Sequence, residues 1–221
     1  MDFISLHEKV TEGNNLFYFL LDMFPFEKKR MRRTEEYHVE TTSLILVTKG
    51  IVAKKTKHFN TENGIYSLLV QGSILWLMNH EEDIVLENEH DAEIAILNKS
   101  VVFEKLDRDG LLSHLLLEQL IQKQKEYQFQ SYILHDGKAR IAAILLYLAA
   151  LNKEMYSFDN FIIPYNTRFT KLASYGYCSR SLVAKTVKEL ESMHVIKKVD
   201  KKIEIFDLRK MNQWIQLGGK L

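Results

Sequence analysis

Residues 170–191 have the sequence TKLASYGYCSRSLVAKTVKELE, and their pattern determines how the C-terminal third of the chain folds. The first half of this stretch has a helical pattern. Leu172 is apolar and Ala173 is small, so a second helix can cross closely over this one. Gly176 then opens a tight turn, and Ser179 can cap a following helix because its hydroxyl accepts a backbone N–H. The stretch therefore predicts a helix, a turn and a second helix.

The second helix of this stretch has two distinct faces. Val183, Val187 and Leu190 recur at helical spacing and form a narrow apolar stripe that can be buried. The polar and basic residues of the other face are Arg180, Ser181, Lys185 and Lys188. In a helix–turn–helix, the first turn of the second helix meets base edges in the DNA major groove. The pattern therefore predicts a recognition helix.

A β-hairpin and a last helix are predicted after the recognition helix. Short β runs at 195–199 and 202–206 flank the turn at 200–201, and Asp207 can cap a helix that contains Leu208, Met211, Trp214 and Ile215. The hairpin tip region carries Lys197, Lys198, Lys201 and Lys202. Lysines on a hairpin tip are usually only solvated. Beside a recognition helix they become candidate phosphate contacts, which position a protein on DNA without specifying sequence.

The N-terminal half has a different periodicity. After a helical opening over 16–24, runs rich in Val, Ile, Leu and Thr recur at 44–48, 51–55, 65–70, 74–78, 84–86 and 94–97. Turn residues such as Gly50, Asn63-Gly64 and Gly72-Ser73 separate these runs. Short strands with turns between them predict an antiparallel roll or small barrel.

A long helix is predicted from Asp109 for about 25 residues, which is twice the usual length of a helix in globular proteins. The residues that follow the a/d spacing of a coiled coil are Leu117, Leu120, Gln124, Tyr127, Ser131 and Leu134. This series favours a dimer interface, and the alternative is a helix that packs on its own roll. We expect the helix to end near 135–137, where Gly137 suits a left-handed C-cap and Asp136 can cap the next helix.

Charge divides the chain into two parts. Residues 1–135 hold 15 Lys and Arg against 21 Asp and Glu, a net charge of −6, whereas residues 136–221 hold 15 against 8, a net charge of +7. The two parts sum to the formal charge of +1. This asymmetry suggests that a polyanion-binding module is joined to a regulatory one, and chance scatter of surface charge is the alternative.

Composition excludes several classes of protein. With 46% hydrophobic residues and only two prolines in 221 residues, the chain is predicted to be globular. No apolar run approaches the ~20 residues that span a bilayer, and residues 1–23 lack a signal-peptide pattern, so a cytoplasmic protein is expected. The lone Cys178 cannot form an internal disulfide. The histidines that a cupin-type metal enzyme would need are isolated on separate turns, so neither a metal nor a cofactor is predicted: His38, His58, His80 and His90.

Residues 176–180, GYCSR, together with 182–191 and Val195-Ile196, closely resemble the DNA-binding signature of the CRP/FNR superfamily of bacterial transcription regulators. The resemblance extends over nearly the whole chain. Its other motifs are Leu-x5-Gly at 44–50, Gln-Gly at 71–72, the long helix and Lys-x-Arg-Ile-Ala at 138–142. It implies an α+β fold with a β-roll effector domain at 1–108, a dimerisation helix and hinge at 109–136, and a winged helix–turn–helix at 137–221.

The resemblance also implies a function and roles for individual residues. Family members are dimers that bind palindromic promoter DNA, and activators among them contact RNA polymerase. Arg180 and Lys185 match base-contacting positions, whereas Ser179 and Thr170 match backbone contacts. Many members have Glu where this chain has Ser181. Because a serine cannot accept from cytosine as a carboxylate does, the operator is expected to differ from theirs.

The roll departs from the members that bind cyclic nucleotides. Residues 73–79, SILWLMN, lack the Gly-Glu of those members, and residues 82–93 contain no arginine to hold a cyclic phosphate. Cyclic-nucleotide binding is therefore not expected, and a single cysteine cannot hold an iron–sulfur cluster. Any small-molecule effector has an unknown identity. The alternative function is a ligand-binding regulatory subunit that acts on a partner protein without specific DNA binding, and the recognition-helix pattern disfavours it.

Overall fold

The computed structural model describes residues 15–32, 35–56, 65–77, 84–88, 92–150, 161–163, 168–199 and 202–219. The described strands are β1 (Glu27–Met31), β2 (Glu36–His38), β3 (Ser43–Lys49), β4 (Ile51–Thr56), β5 (Ile65–Val70), β6 (Ile74–Trp76), β7 (Ile84–Asn88), β8 (Ala92–Asn98), β9 (Phe161–Ile163), β10 (Ile196–Val199) and β11 (Lys202–Ile205). The described helices are α1 (Asn15–Met23), α2 (Lys99–Arg108), α3 (Leu112–Ser131), α4 (Gly137–Ala150), α5 (Phe169–Tyr175), α6 (Arg180–Ser192) and α7 (Leu208–Gln216). The chain forms two compact units, Met1–Glu126 and Tyr127–Leu221, and α3 belongs to both.

The N-terminal unit is a β-roll of antiparallel strands. Its described strands form two sheets with the orders β1-β8-β3-β6 and β2-β7-β4-β5. The central strand β3 is buried on both faces, because Leu44 and Leu46 pack against a helical layer while Ile45 and Val47 face a second core. Burial on both faces explains why this strand has a continuous apolar run where a half-buried strand would alternate.

Helices cover one face of the β1-β8-β3-β6 sheet. Apolar residues of α1, α2 and the start of α3 pack with Leu44 and Trp76 in one cluster. Trp76 is 3% exposed and meets the Phe103 ring edge-on at 5.6 Å, so it is a core residue, as the sequence indicated.

Elements β1, β2, β9 and α2 were not predicted from the sequence. Strand β1 has the sequence EKKRM at a sheet edge, where charged residues replace the apolar alternation. Helix α2 has only ten residues. The side chain of Asn98 caps it by accepting from the Val101 N–H at 3.2 Å. The helix predicted from Asp109 begins only at Leu112, because Asp109 ends α2 and Gly110 follows with a φ of 69°.

The C-terminal unit places α4 at its centre, with α5, α6, α7 and the sheet β10-β11-β9 around it. The predicted left-handed C-cap at Gly137 is wrong. Helix α3 ends at Ser131, a 3-10 turn covers Tyr132–Leu134, and Gly137 is the first residue of α4. A Cβ on Gly137 would lie 2.6 Å from Leu182 Cδ2, so close approach to α6 favours glycine there. The α+β fold class, with a β-roll, a long helix and a winged helix–turn–helix, is confirmed.

Candidate nucleic-acid interface

The predicted helix–turn–helix is formed by α5 and α6. Between them, Gly176 has an ordinary φ of −91°, and Tyr177 takes the left-handed conformation with a φ of 46°. A Cβ on Gly176 would lie 3.2 Å from Cys178 Sγ and 3.3 Å from Ile144 Cδ1. Position 176 therefore favours glycine because a side chain would be crowded there. The residue with the strained backbone conformation is Tyr177.

Ser179 caps the recognition helix α6. Its Oγ accepts from the Leu182 N–H at 3.2 Å and lies 2.8 Å from the Ser181 hydroxyl. The predicted N-cap is confirmed, and the two hydroxyls form a small exposed pair at the start of α6. One N–H bond and one mutual bond leave this pair one O–H donor and two lone pairs for a ligand.

We expect Ser179→Ala to lower the free energy of unfolding by about 1 kcal/mol, because the first turn of α6 loses its cap. Ser179→Asp keeps an acceptor oxygen and should retain most of the stability. Ser192→Ala at the other end of α6 is the matched control and should change stability by no more than about 0.5 kcal/mol. Urea unfolding of the three variants checks this, and equal stability of Ser179→Ala and wild type would contradict the capping role.

The two predicted faces of α6 are separate. The buried residues are Val183, Thr186, Val187 and Leu190, whereas the exposed ones are Arg180, Ser181, Lys185 and Lys188. At ~100° per residue, the four exposed side chains lie within an arc of about 140° that contains none of the four buried residues. Thr170, in the first turn of α5, is also exposed. The structure therefore presents these predicted DNA-contacting side chains to solvent on the helix–turn–helix.

Two side chains of helix α4, Arg140 and Lys138, contact the helix–turn–helix in ways that were not predicted from the sequence. The guanidinium of Arg140 donates to the Gly176 carbonyl at 2.9 Å and to the His135 carbonyl at 3.0 Å. Lys138 Nζ lies 2.6 Å from a carboxylate oxygen of Glu189 on α6. The Lys-x-Arg spacing at 138–140 is the only local signal of this arrangement. Its effect is to tie the helix–turn–helix turn and the recognition helix to the central helix of the unit.

The wing is the hairpin β10–β11, in which Val199 pairs with Lys202 beside the turn. Lys197 and Lys202 are exposed, and Lys201 lies outside the described residues. The ammonium of Lys198 lies 4.7 Å from the centre of the Phe169 ring, so this lysine leans on α5. Among the described lysines of the wing, Lys202 is therefore the one best placed to reach a phosphate near the tip.

Cys178 lies in the turn before α6 and is half-buried. Burial raises the pKa of its thiol, and the nearby charge of Arg140 lowers it by less. The thiol is therefore protonated at neutral pH, which suits a packing residue and does not suit a redox switch.

Neither a metal centre nor a membrane helix occurs in the described part of the chain. No group of three or more His, Cys, Asp or Glu side chains there is arranged to hold a metal ion. His58, His80 and His90 lie outside that part, and His38 is exposed at the end of β2. Within the same residues, every helix is too short or too polar to cross a bilayer.

Helix α3 exposes an apolar stripe. We call Leu117, Leu120, Gln124 and Tyr127 the outer stripe; its three apolar members are 54%, 65% and 62% exposed, and Gln124 is exposed as well. Leu134, which continues the series after α3, is 88% exposed. Exposed leucines in series on one helix face mark a surface that another chain can cover. The predicted dimer residues thus face away from their own chain.

Three solved structures resemble this chain over most of its length. A cyclic nucleotide-binding domain containing protein from Listeria monocytogenes EGD-e is 16% identical, with a TM-score of 0.70 over 87% of this chain and 96% of that one. FixK2 from Bradyrhizobium japonicum is 12% identical, with a TM-score of 0.68 over 86% and 96% of the two chains. A transcriptional regulator of the CRP family from Thermus thermophilus is 15% identical, with a TM-score of 0.66 over 85% and 96%.

These likenesses concern the fold. No protein-family model matches the sequence, and no curated protein matches it significantly. The structural matches nevertheless cover both compact units. The chain therefore has the fold of CRP/FNR-type proteins, as the motifs at 44–50, 138–142 and 176–191 indicated.

Proposed function

Starting from this fold, we propose that the chain is a homodimeric, sequence-specific DNA-binding transcription regulator of CRP/FNR type without enzymatic activity. The observation that carries the proposal is the recognition helix α6, which buries one face and exposes Arg180, Ser181, Lys185 and Lys188 on the other. Its partners are double-stranded promoter DNA, a second copy of the chain and, where it activates, RNA polymerase. We place it in the cytoplasm. Its roll senses a signal of unknown identity.

The side chains around α6 divide into two roles. Arg180 contacts a base, because it lies in the first turn of α6 and a guanidinium matches the O6 and N7 of guanine. Lys185 contacts a neighbouring base or a phosphate. Ser181 adds a hydroxyl that any base edge can use. The groups that contact the DNA backbone are Thr170, Ser179, Lys188, Lys201 and Lys202. The net charge of +7 on residues 136–221 supports this surface.

Dimerisation uses the outer stripe. Two copies of α3 that pair along Leu117, Leu120, Gln124 and Tyr127 would bury three large apolar side chains per copy that water now reaches. Gln124 is a polar residue in the middle of this apolar stripe. A buried polar residue at such a position fixes the register of a helix pair at some cost in stability.

The proposal is tested by binding to the DNA upstream of the protein's own coding sequence and to a randomised duplex library. We expect selection of a palindrome whose half-sites are about 10 base pairs apart, centre to centre. Equal affinity for every duplex would remove sequence-specific regulation. Absence of DNA binding at low salt would favour a regulatory subunit that acts on a partner protein.

We expect Lys202→Ala to weaken binding to all duplexes about equally and to flatten the dependence of affinity on salt. Each phosphate contact releases counterions, so losing one reduces the slope of log K against log salt by about one. Combining it with Lys201→Ala should enlarge the effect. Lys210→Ala is the control, because the Lys210 ammonium already donates to the Met193 carbonyl at 3.0 Å. Fluorescence anisotropy at several salt concentrations checks this. An unchanged slope of log K against log salt would show that the wing does not contact the DNA.

A further inference from the structure

Between Leu117 and Tyr127, helix α3 is polar on its buried face, which is the reverse of an ordinary amphipathic helix. Gln119, Gln122 and Glu126 are only 4%, 9% and 2% exposed, whereas leucines occupy the outer stripe. The three polar residues are spaced by three and four, so they lie on one side of the helix. This side needs polar partners, because burying an unpaired carboxylate is costly.

Two paired strands of the roll supply those partners to Glu126. Lys54 on β4 lies directly opposite Ser67 on β5, so their side chains share one face of the sheet. Lys54 is 4% exposed and Ser67 is fully buried. The Lys54 ammonium donates to Glu126 Oε1 at 2.9 Å, and the Ser67 hydroxyl donates to the same oxygen at 3.3 Å. One carboxylate oxygen therefore receives a donor from each strand, all within the N-terminal unit.

Stability alone does not explain this contact. Apolar residues of similar volume often serve as well as a buried ion pair, because the charges lose their hydration. The ion pair also fixes the position of α3 along the roll, because it forms only when Lys54 and Glu126 lie side by side. If α3 shifted along the roll by one residue, the buried Glu126 carboxylate would separate from the Lys54 ammonium and the Ser67 hydroxyl, and a buried charge that loses its partners is strongly destabilising. An apolar contact tolerates such a shift far better, which is why single buried polar groups are used to fix helix register.

Because of where Glu126 lies on α3, the register of this helix on the roll also affects the outer stripe. It is the last residue of the N-terminal unit, and the next residue, Tyr127, is a member of the outer stripe. A helix that turned or slid at Glu126 would carry Leu120, Gln124 and Tyr127 with it. The two copies of α3 in a dimer would then meet along a different line.

We propose that Lys54, Ser67 and Glu126 form a registering contact that fixes α3 on the β-roll and so sets the spacing of the two recognition helices in the dimer. The second half of this statement rests on the proposed function. Within the contact, the Glu126 carboxylate of α3 accepts hydrogen bonds from Lys54 and Ser67 of the sheet. The residues act through α3 and touch no DNA, so they are positioning residues.

The test replaces the whole contact with apolar groups in the full chain: Lys54→Met, Ser67→Ala and Glu126→Leu together. We expect this triple variant to unfold at the wild-type temperature or above, while the amide hydrogens of α3 exchange faster because the register is no longer fixed. Operator affinity should fall about tenfold, and affinity for random DNA should stay unchanged. The matched control removes an exposed ion pair of α2 through Glu104→Gln and Arg108→Gln, and it should change none of these quantities.

A charge swap, Lys54→Glu with Glu126→Lys, provides the second variant. It keeps an ion pair at the same place, so wild-type exchange of α3 and wild-type operator affinity are expected. A stable triple variant with wild-type exchange and operator affinity would overturn the proposal, and so would the failure of both variants to fold, because the contact would then serve stability itself. If wild type binds no DNA while the amide hydrogens of α3 exchange faster in the triple variant, the registering contact is supported and the proposed DNA-binding function is wrong.

Discussion

Arg180→Ala is expected to cost about 1–3 kcal/mol of binding free energy on the operator and to relax the preference at one base pair in each half-site. Arg180 lies in the first turn of α6 and is exposed. Its planar guanidinium can donate two hydrogen bonds to one guanine. Lys185 lies about 140° further around the helix axis, so it should reach a neighbouring base or a phosphate instead.

Two further variants separate base recognition from simple attraction to DNA. Arg180→Lys should fail to restore operator affinity, because an ammonium keeps the charge but lacks the two-pronged geometry. Lys188→Ala removes a positive charge from the same face and should weaken all duplexes alike, as a phosphate contact does. The measurement is binding to the operator, to each single-base variant and to random DNA at one salt concentration. A uniform loss for Arg180→Ala would show that Arg180 holds only a phosphate.

Leu120→Asp should convert the protein to monomers at micromolar concentration. Leu120 is 65% exposed in the single chain, so the substitution leaves the folded monomer intact. In a dimer paired along the outer stripe, the new carboxylate would be buried without a partner, and its desolvation commonly costs several kcal/mol. Operator binding should fall with the loss of the dimer, because each monomer then holds a single half-site.

Sedimentation velocity provides the measurement for this variant. Lys125→Asp is the control, because it also puts a carboxylate on an exposed position of α3 but lies about 140° around the helix from Leu120. That control should remain dimeric. If Leu120→Asp also remains dimeric, α3 does not supply the interface and the seam lies elsewhere on the molecule.

Local sequence signals predicted the elements whose residues interact with their own neighbours. Ser179 and Asp207 were identified as helix caps because a cap bonds to an N–H three residues on, and both bonds are present. The apolar runs of β3 to β5 were identified because consecutive residues in them are apolar, and those at 44–47, 51–53 and 68–69 are buried. Strands β2 and β9 have only three residues each, which is too short for any periodicity to show.

Long-range packing limited the prediction in other places. The sequence predicts a left-handed cap at Gly137, yet its neighbour Leu182 lies 45 positions along the chain and favours glycine through close approach. Glu126 was not singled out at all, because its partner Lys54 is separated from it by 72 residues. The local sequence shows that a residue is polar, but the fold decides which other residue will satisfy it.

If two copies pair along the outer stripe, operator binding will depend on the abundance of the protein. When few copies are present, dissociation is favoured by mass action, and the number of dimers then grows with the square of the number of chains. A twofold rise in synthesis would therefore raise the amount of operator-binding species about fourfold in this range. Exposed leucines in series favour aggregation of a free monomer, and pairing along the outer stripe would cover them.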